Sequence, residues 1–269
     1  MRAGVNSWIY PGDFTVSRVL AESARIGYDG VEVVVGEEGR LNLFTISDVE
    51  LRRIREEAGS LGLEIPSVCT GLFWRYNLAG LDERLRRKGI EAVKRGCRVA
   101  YMLGASCLLV VPGVATPAVS YEDMWRLSKE SLLEAASTAE EYGVYIAVEN
   151  VWNRFLYSPL EFRSFLEDVN HEYVKMYFDV GNVLFIGEPT HWIRSLANYI
   201  VCVHVKDFLL RERRFVPPLQ GDVPWKRVME ALRAVGYDYF LTVEVPPYPG
   251  DPLKAAMDCK TALDIIMSY

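Results

Sequence analysis

Short apolar runs alternate with amphipathic stretches eight times along the 269 residues of the chain. The runs are rich in Val, Ile, Tyr and Phe, which predicts buried strands, and the stretches between them have helical periodicity. Strands that alternate with helices pair in parallel through right-handed crossovers. Eight such units predict an α/β protein, a (β/α)8 TIM barrel that forms a single domain over residues 1–269. An open doubly wound sheet is the alternative, but no GxGxxG turn follows the first strand.

The element bounds follow from the same patterns. Strands are predicted at residues 3–8, 30–35, 64–70, 107–111, 144–150, 174–179, 200–204 and 240–245. Helices are predicted at residues 16–26, 47–61, 82–103, 121–142, 191–197, 225–234 and 253–267, and one more begins at Ser158-Pro159. Ser47 is a suitable N-cap, and Gly104 and Gly143 are suitable helix ends. A loop is predicted through Gly181-Asn182.

Charge and cysteine usage restrict the class of protein. The net charge of −6 disfavours a nucleic-acid surface. No apolar run reaches the length of about 18 residues that a membrane span needs, and no signal peptide is recognisable. The five cysteines form no CxxC pair, which is typical of buried thiols in a reducing compartment. We therefore expect a cytoplasmic protein without nucleic-acid or membrane partners.

Four successive strands in the second half of the chain each end in a polar side chain. Glu149, Asp179, His204 and Glu244 stand at or near the carboxyl-terminal ends of their strands. Since strand side chains alternate between faces, each of these residues lies opposite a more aliphatic face, which in a barrel packs on the helices. The four polar side chains should therefore point inward at one mouth of the barrel.

Carboxylates that converge in a buried mouth repel each other and are poorly solvated unless a cation joins them. Three carboxylates and one imidazole suit Mn²⁺ or Mg²⁺ better than a structural Zn²⁺ site, which favours Cys. The sequence thus predicts one divalent ion per subunit, preferably Mn²⁺, with Mg²⁺, Co²⁺ or Zn²⁺ as alternatives. The other interpretation is that each carboxylate is paired with its own Lys or Arg.

Several segments resemble one enzyme superfamily. They are VENVWNRFLYSP, YFDVGNVL, VHVKDF and QGDVPWKRVMEALRAVGYDYFLTVEV, together with LFWRYNL and DERLRRKGIEAVKRG. The chain is similar along nearly its whole length to the xylose-isomerase-like sugar phosphate isomerase/epimerase superfamily. This group of metal-dependent barrels (the AP endonuclease family 2 type) holds ketose 3-epimerases, hydroxypyruvate isomerase, inosose dehydratase and endonuclease IV.

The resemblance implies a function as well as a fold. It implies a metal ion held by Glu149, Asp179, His204 and Glu244, with Glu149 and Glu244 also removing and returning the proton at C3 of a ketose. An aldose–ketose isomerase, or a dehydratase of an inosose or a dehydroshikimate-like ketone, uses the same metal ligands and remains an alternative. Endonuclease IV needs many histidines, and this chain has three. The implied partners are a small sugar or sugar phosphate and further copies of the chain in a homo-oligomer.

The chain departs from the ketose 3-epimerase pattern at two positions. Asn182 stands where that pattern has a His, and Leu210 stands where it has an Arg, with Arg211 and two further arginines just beyond. These departures leave a phosphorylated ketose or an inositol-derived ketone open as substrate. Asn182 and Arg211 are kept as candidate substrate contacts.

Other candidate substrate contacts lie near the same mouth. Lys206 and Asp207 follow His204, and Glu32 can face the interior from the second strand; the alternative for these residues is an ordinary ion pair. Asn150 and Asn153 are candidates to bind sugar hydroxyls, or else they are turn residues. Four aromatic residues are candidate platforms for a sugar face, with core packing or a dimer contact as the alternative: Trp8, Phe73, Trp74 and Trp152.

Overall fold

Eight parallel strands close into a barrel in the computed structural model, which describes residues 1–269. In chain order the strands are β1 (Arg2–Asn6), β2 (Gly30–Val34), β3 (Ser67–Cys69), β4 (Cys107–Val110), β5 (Tyr145–Glu149), β6 (Val174–Asp179), β7 (Ile200–Val205), β8 (Asp207–Leu209), β9 (Arg214–Val216) and β10 (Phe240–Val243). The barrel contains β1 to β7 and β10, and β10 closes it by pairing with both β7 and β1. The predicted TIM barrel is therefore confirmed.

Helices surround the barrel and connect its strands. They are α1 (Val16–Ile26), α2 (Asp48–Ser60), α3 (Glu83–Leu103), α4 (Tyr121–Tyr142), α5 (Pro159–Val169), α6 (Val180–Leu184), α7 (Pro189–Ser195), α8 (Trp225–Ala234) and α9 (Lys254–Ser268). The Ser47 side chain caps α2 as predicted. Gly104 and Gly143 end α3 and α4 in the left-handed conformation, at φ of 81° and 63°. No helix combines the length and the apolar character that a membrane crossing requires.

Strand alternation separates two apolar clusters. The outer cluster of 77 buried residues packs the strands on the helices and includes Val203 and Val205 of β7. The inner cluster of six residues fills the barrel and includes Tyr177 and Cys202. Asp179 and His204 share the inward parity of Tyr177 and Cys202, so the predicted inward direction of the polar strand ends is confirmed.

Two local predictions were wrong, and one element was missed. Residues 180–184 form α6 rather than a loop, because the Asp179 carboxylate accepts from the Asn182 amide and caps this short helix. The next helix is α7 at Pro189–Ser195, two residues before the predicted bounds. The antiparallel hairpin β8–β9 after β7 was not predicted. It lies directly above the carboxyl-terminal end of a barrel strand, where loops form the functional face of such barrels.

Candidate metal centre

Four side chains from neighbouring strands meet at the carboxyl-terminal mouth of the barrel. Glu149 ends β5, Asp179 ends β6, His204 lies in β7 and Glu244 follows β10. One ligand atom from each residue lies within 4.8 Å of the other three. Since the barrel order is β5, β6, β7, β10, the two glutamates stand at the two ends of the row. We call these four residues the carboxylate ring.

The two nitrogens of His204 have different surroundings. The Nδ1 atom lies 3.3 Å from Glu149 Oε1, 3.7 Å from Glu244 Oε2 and 3.8 Å from Asp179 Oδ2. The Nε2 atom lies 2.7 Å from Glu32 Oε1, on the side away from the ring. A carboxylate on one nitrogen of a metal-binding His fixes its tautomer and leaves the other nitrogen for the metal. This arrangement directs Nδ1 toward the three carboxylates.

Glu32 is an internal partner of His204, contrary to the predicted substrate contact. Its side chain is fully buried, and both carboxylate oxygens are occupied. The Oε1 atom also accepts from Asn6 Nδ2 at 2.6 Å, while Oε2 accepts from Ser67 Oγ at 2.6 Å and Tyr177 OH at 2.8 Å. Neither oxygen is left to bind a substrate. Glu32 does face the barrel interior, as its strand parity predicts.

Lys206 lies two residues after His204 and contacts two members of the carboxylate ring. Its ammonium nitrogen lies 2.5 Å from Glu244 Oε2 and 2.7 Å from Asp179 Oδ2, and its side chain is 12% exposed. The contact with Glu244 is a hydrogen bond, and the contact with Asp179 is an ion pair. Lys206 is thus the nearest cationic partner of Asp179 Oδ2, which has no hydrogen bond of its own. One ammonium group shared between two largely buried carboxylates leaves negative charge that a further cation can balance.

The donor set fits a divalent cation. Three carboxylate oxygens, one each from Glu149, Asp179 and Glu244, and the Nδ1 atom of His204 lie within the spacing of a ligand shell. Counting Glu32, four carboxyl groups face only two cationic side chains, those of His204 and Lys206. Buried charge of one sign favours the binding of a hard or borderline cation.

Burial and charge set the protonation of the ring. Burial raises the pKa of Glu149 from 4.5 to about 7. Burial acts in the same direction on Glu244, but attraction to Lys206 and His204 outweighs it and leaves the pKa of that carboxyl below its usual value. Burial disfavours the imidazolium of His204, yet the charges of Glu32 and Glu244 raise its pKa well above the usual 6.5. A metal ion that enters the ring must therefore displace protons.

Asn150 and Asn182 hold the ring strands together. Asn150 Nδ2 donates to Asp179 O at 2.8 Å, and Asn150 Oδ1 accepts from the Asp179 amide at 2.8 Å. Asn182 Nδ2 donates to Asn150 O at 2.9 Å. The side-chain amide of Asn150 thus links β5 and β6, and its contact with sugar hydroxyls stays a prediction. Asn182 also lines the large cavity above the carboxylate ring, and its contact with a substrate stays a prediction.

Asp207 was predicted as a substrate contact, but it anchors the hairpin β8–β9. Its fully buried carboxylate accepts from Trp225 Nε1 at 2.8 Å and from three backbone amides, those of Phe208, Leu219 and Val223, at 2.9–3.1 Å. All of these donors belong to the hairpin or to the segment that leads to α8. The carboxylate therefore fixes the loop above the ring instead of facing a ligand.

Three further predicted contacts lie away from the cavity. Asn153 is buried, donates to Gly113 O at 2.7 Å and accepts from the Phe155 amide at 3.2 Å, which makes it a turn residue. Arg211 is exposed in the turn between β8 and β9 and does not line the cavity. Phe73 is fully buried in the outer core. For Asn153 and Phe73 the structure shows the alternatives that were kept open, a turn residue and core packing, and a substrate contact of the exposed Arg211 stays a prediction.

A cavity of about 730 Å³ opens above the carboxylate ring. Glu149, Glu244 and Lys206 form part of its base. Trp8, Trp74 and Trp152 stand in its wall, as predicted for aromatic platforms. The hairpin β8–β9 and the loop after β10 complete the wall.

Sequence reasoning missed the internal support of the ring. Asn6, Ser67 and Tyr177 hold Glu32, but each belongs to a different strand and none has a charged group that marks it in the sequence. The available signal was that Tyr177 lies two residues before Asp179 in β6, so its side chain also points into the barrel. Phe215 was also missed, because the hairpin that carries it was not predicted.

Comparisons with known proteins agree with the fold. Residues 20–263 match the family model described as a xylose isomerase-like TIM barrel. An uncharacterized protein of Methanocaldococcus jannaschii is 24% identical over 253 residues, 91% of this chain and 83% of that protein. L-ribulose-5-phosphate 3-epimerase UlaE of Escherichia coli is 23% identical over 220 residues, 81% of this chain and 78% of that enzyme.

A solved structure extends the comparison to three dimensions. The crystal structure of a D-tagatose 3-epimerase-like protein superposes with a TM-score of 0.83 at 24% identity and covers 100% of this chain and 99% of that one. At this identity the likeness shows a shared fold.

Proposed function

This chain belongs to the xylose isomerase-like TIM barrel family, and we propose that it is a divalent-metal-dependent ketose 3-epimerase. The observation that carries the proposal is the carboxylate ring, whose four ligand atoms lie within 4.8 Å of one another at the base of a cavity. The similarity to L-ribulose-5-phosphate 3-epimerase UlaE supports this reaction class. Mn²⁺ is the ion we expect, one per subunit, held by Glu149, Asp179, His204 and Glu244.

The two glutamates of the ring carry the proton transfers. A bound divalent ion supplies Lewis acidity, which favours proton loss beside the ketose carbonyl. One glutamate takes the proton from C3 and leaves a planar enediolate, and the other gives its proton to the opposite face of C3, which inverts that centre. Inversion requires two proton carriers that stand apart, as Glu149 and Glu244 do at the ends of the row. Since the reaction is reversible, each glutamate is the base in one direction and the acid in the other.

Lys206 favours a second candidate, a dehydratase that acts on an inosose or a related ketone. Its ammonium group lies 2.5 Å from Glu244 and beside the cavity, where it can protonate a leaving hydroxyl. The same group can instead bind a hydroxyl of a ketose. Epimerisation takes precedence because it requires the paired glutamates, whereas dehydration requires one base and one acid.

Isotope exchange tests the proposal directly. The protein is incubated in D₂O with Mn²⁺ or with EDTA and a panel of ketoses, ketose phosphates and inososes. Deuterium at C3 that depends on Mn²⁺ is expected for an epimerase. Deuterium at C1 or C2 would indicate an aldose–ketose isomerase, and a product that absorbs in the ultraviolet would indicate the dehydratase. No exchange with any substrate would refute an isomerase function.

A variant pair tests the role of the glutamates. Glu244→Gln should abolish epimerisation, because inversion at C3 needs both carboxylates and an amide neither takes nor returns the proton. Glu56→Gln, a substitution of an exposed residue of α2, is the matched control. Epimerisation at the wild-type rate in Glu244→Gln would remove Glu244 from its proposed role. The single domain over residues 1–269, the cytoplasmic location and the homo-oligomer remain predictions.

A further inference from the structure

The wall of the cavity has almost no groups that bind an anion. Lys206 is the one Lys or Arg among the lining residues, and its ammonium group is already bound to Glu244 and close to Asp179. Arg40 lies at the neighbouring part of the mouth, but its guanidinium donates to the carbonyls of Ser7, Tyr10, Pro11 and Phe14. A phosphate group needs free cationic or N–H donors, and this wall does not offer them.

Backbone donors are also missing where barrels of this kind usually hold a phosphate. Barrel enzymes often bind phosphate in the loops after the seventh and eighth strands. Here the loop after β10 contains Pro246, Pro247 and Pro249, and the segment after the hairpin contributes Pro217; all four line the cavity. A proline has no N–H group, so this wall lacks the row of amides from which anion sites are built.

The arginines after β7 do not compensate for this lack. Arg211, Arg213 and Arg214 are exposed on the hairpin and do not line the cavity. The Arg213 guanidinium lies over the ring of Phe185, 5.6 Å from its centroid. The wall of the cavity therefore offers no unpaired cationic side chain to an anionic ligand.

Aromatic side chains give the cavity a rigid apolar wall. The Trp152 indole donates to Asn182 O at 2.9 Å, and its ring lies 4.8 Å from that of Phe215 and 5.3 Å from that of Phe208. Trp8 and Trp74, which are 58% and 50% exposed, present large apolar surfaces at the mouth. Exposed aromatic surface around a concave site is characteristic of ligand binding.

The cavity has room for a ligand larger than a simple ketose. Its volume of about 730 Å³ lies in the upper part of the range of roughly 300–1,000 Å³ that is typical of pockets for drug-sized ligands. C2 and C3 of a ketose must lie at the carboxylate ring, because the base and the ion are there. The remote end of the sugar then points toward the aromatic wall.

We propose that the substrate is an uncharged ketose that carries an apolar ring on its end remote from C2 and C3, and that Trp8, Trp74, Trp152 and the proline loop after β10 bind this ring. This inference rests on the proposed function for the orientation of the sugar. The apolar ring of the substrate stacks on indole faces and is excluded from water. Because this ring is uncharged, its binding buries no charge without a partner.

Matched ligands test the inference by equilibrium binding. Each of D-fructose, D-psicose, D-tagatose and D-sorbose is compared with its 6-phosphate and its 6-O-benzyl ether, by isothermal titration calorimetry with Mn²⁺ present. At least one benzyl ether should bind about tenfold more tightly than its parent ketose, and no phosphate should bind more tightly than its parent. A phosphate that binds most tightly, or benzyl ethers that bind no better than their parents, would overturn the inference.

Two tryptophan variants test which residues bind the apolar ring of the ligand. Trp74→Ala and Trp152→Ala should each remove most of the benzyl advantage, whereas Tyr101→Ala, an exposed aromatic residue of α3 outside the cavity, should preserve it. An advantage that survives both tryptophan variants would contradict the assignment. Trp74 is half exposed, so its variant tests the proposal even if Trp152→Ala fails to fold.

Deuterium exchange on the same ligands separates this inference from the proposed function. Tight binding of a benzyl ether without deuterium exchange at C3 would support the binding site for the apolar ring and refute the epimerase. Exchange at C3 with a preference for the phosphates supports the epimerase and refutes the apolar site.

Discussion

Replacement of Glu32 by Gln should weaken metal binding while the fold is retained. Glu32 reaches only the outer nitrogen of His204, at 2.7 Å, and contacts no residue that we expect to bind the metal except that imidazole. The substitution preserves the shape of the side chain and removes its charge. It therefore tests whether this buried carboxylate orients and activates His204.

The geometry predicts a small cost in folding for Glu32→Gln. If the new amide oxygen takes the place of Oε1, it still accepts from Asn6 and His204. The amide nitrogen then faces the hydroxyls of Ser67 and Tyr177, which can accept as well as donate. All four contacts are kept, and only their charge assistance is lost, so we expect a loss of about 1 kcal/mol in the free energy of unfolding.

The effect on metal affinity should be larger. Loss of the outer carboxylate partner of a metal-binding His typically weakens metal binding by roughly 10–100-fold. This corresponds to about 1.4–2.7 kcal/mol of binding free energy. Titration calorimetry with Mn²⁺ at constant pH measures this change, and chemical denaturation measures the change in folding.

Tyr177→Phe is the matched control. It removes one hydrogen bond to Glu32 Oε2 and leaves the charge of Glu32 in place. It should cost about 1 kcal/mol of stability with little change in Mn²⁺ affinity. Wild-type affinity in Glu32→Gln would refute the role of Glu32, and equal weakening in both variants would indicate a packing effect and not a charge effect.

Three other outcomes follow from the same contacts. Mn²⁺ at about one hundred times its Kd should raise the free energy of unfolding by about 2.7 kcal/mol in scanning calorimetry, and EDTA should reverse the rise; no shift would mean that the ring binds no ion. In EDTA the unfolding temperature should fall as the pH rises from 4.5 to about 7, because burial raises the pKa of Glu149 over that interval and the fold favours its protonated form. Glu149→Gln should reduce this slope, and an unchanged slope would assign it to other groups. Asp207→Ala should cost about 3 kcal/mol in chemical denaturation, because it leaves four donors without an acceptor, and a neutral result would contradict the anchoring role.

The carboxylate ring was predictable because its geometry follows from local rules. Alternation along a strand fixes which side chains point inward, and parallel pairing brings the carboxyl ends of successive strands to one mouth. Glu149, Asp179 and His204 lie on consecutive barrel strands, so their sequence order is also their spatial order. Glu244 follows the next strand in the barrel, and the hairpin between the two strands does not change this neighbourhood.

The part played by Glu32 was not predictable from the same rules. The alternation of side chains along β2 correctly indicates that Glu32 points into the barrel. This alternation does not show how far below the mouth of the barrel the side chain lies. Depth depends on the stagger between strands that are far apart in sequence, such as β2 and β7. The hydrogen bond from His204 to Glu32 spans 172 positions in the chain, and no local pattern encodes that distance.

Asp207 illustrates a different limit. Directly after a strand that bears a predicted metal ligand, an aspartate has the sequence position of a catalytic residue. Its partners Leu219, Val223 and Trp225 lie 12 to 18 residues later, beyond a hairpin whose turn carries a run of charged residues. The residue type and position were informative, but the function of the carboxylate depends on where the chain returns.

Chemistry and selectivity are thus carried by different parts of the fold. The carboxylate ring lies at the ends of barrel strands, which hydrogen bonds hold on both sides, whereas the wall that meets the remote end of the substrate comes from the hairpin β8–β9 and from the proline loop after β10. Loops tolerate changes that strand ends do not. For this reason the substrate must be inferred from this chain's own wall. The prolines and indoles of this wall, and not the carboxylate ring, argue for an uncharged substrate.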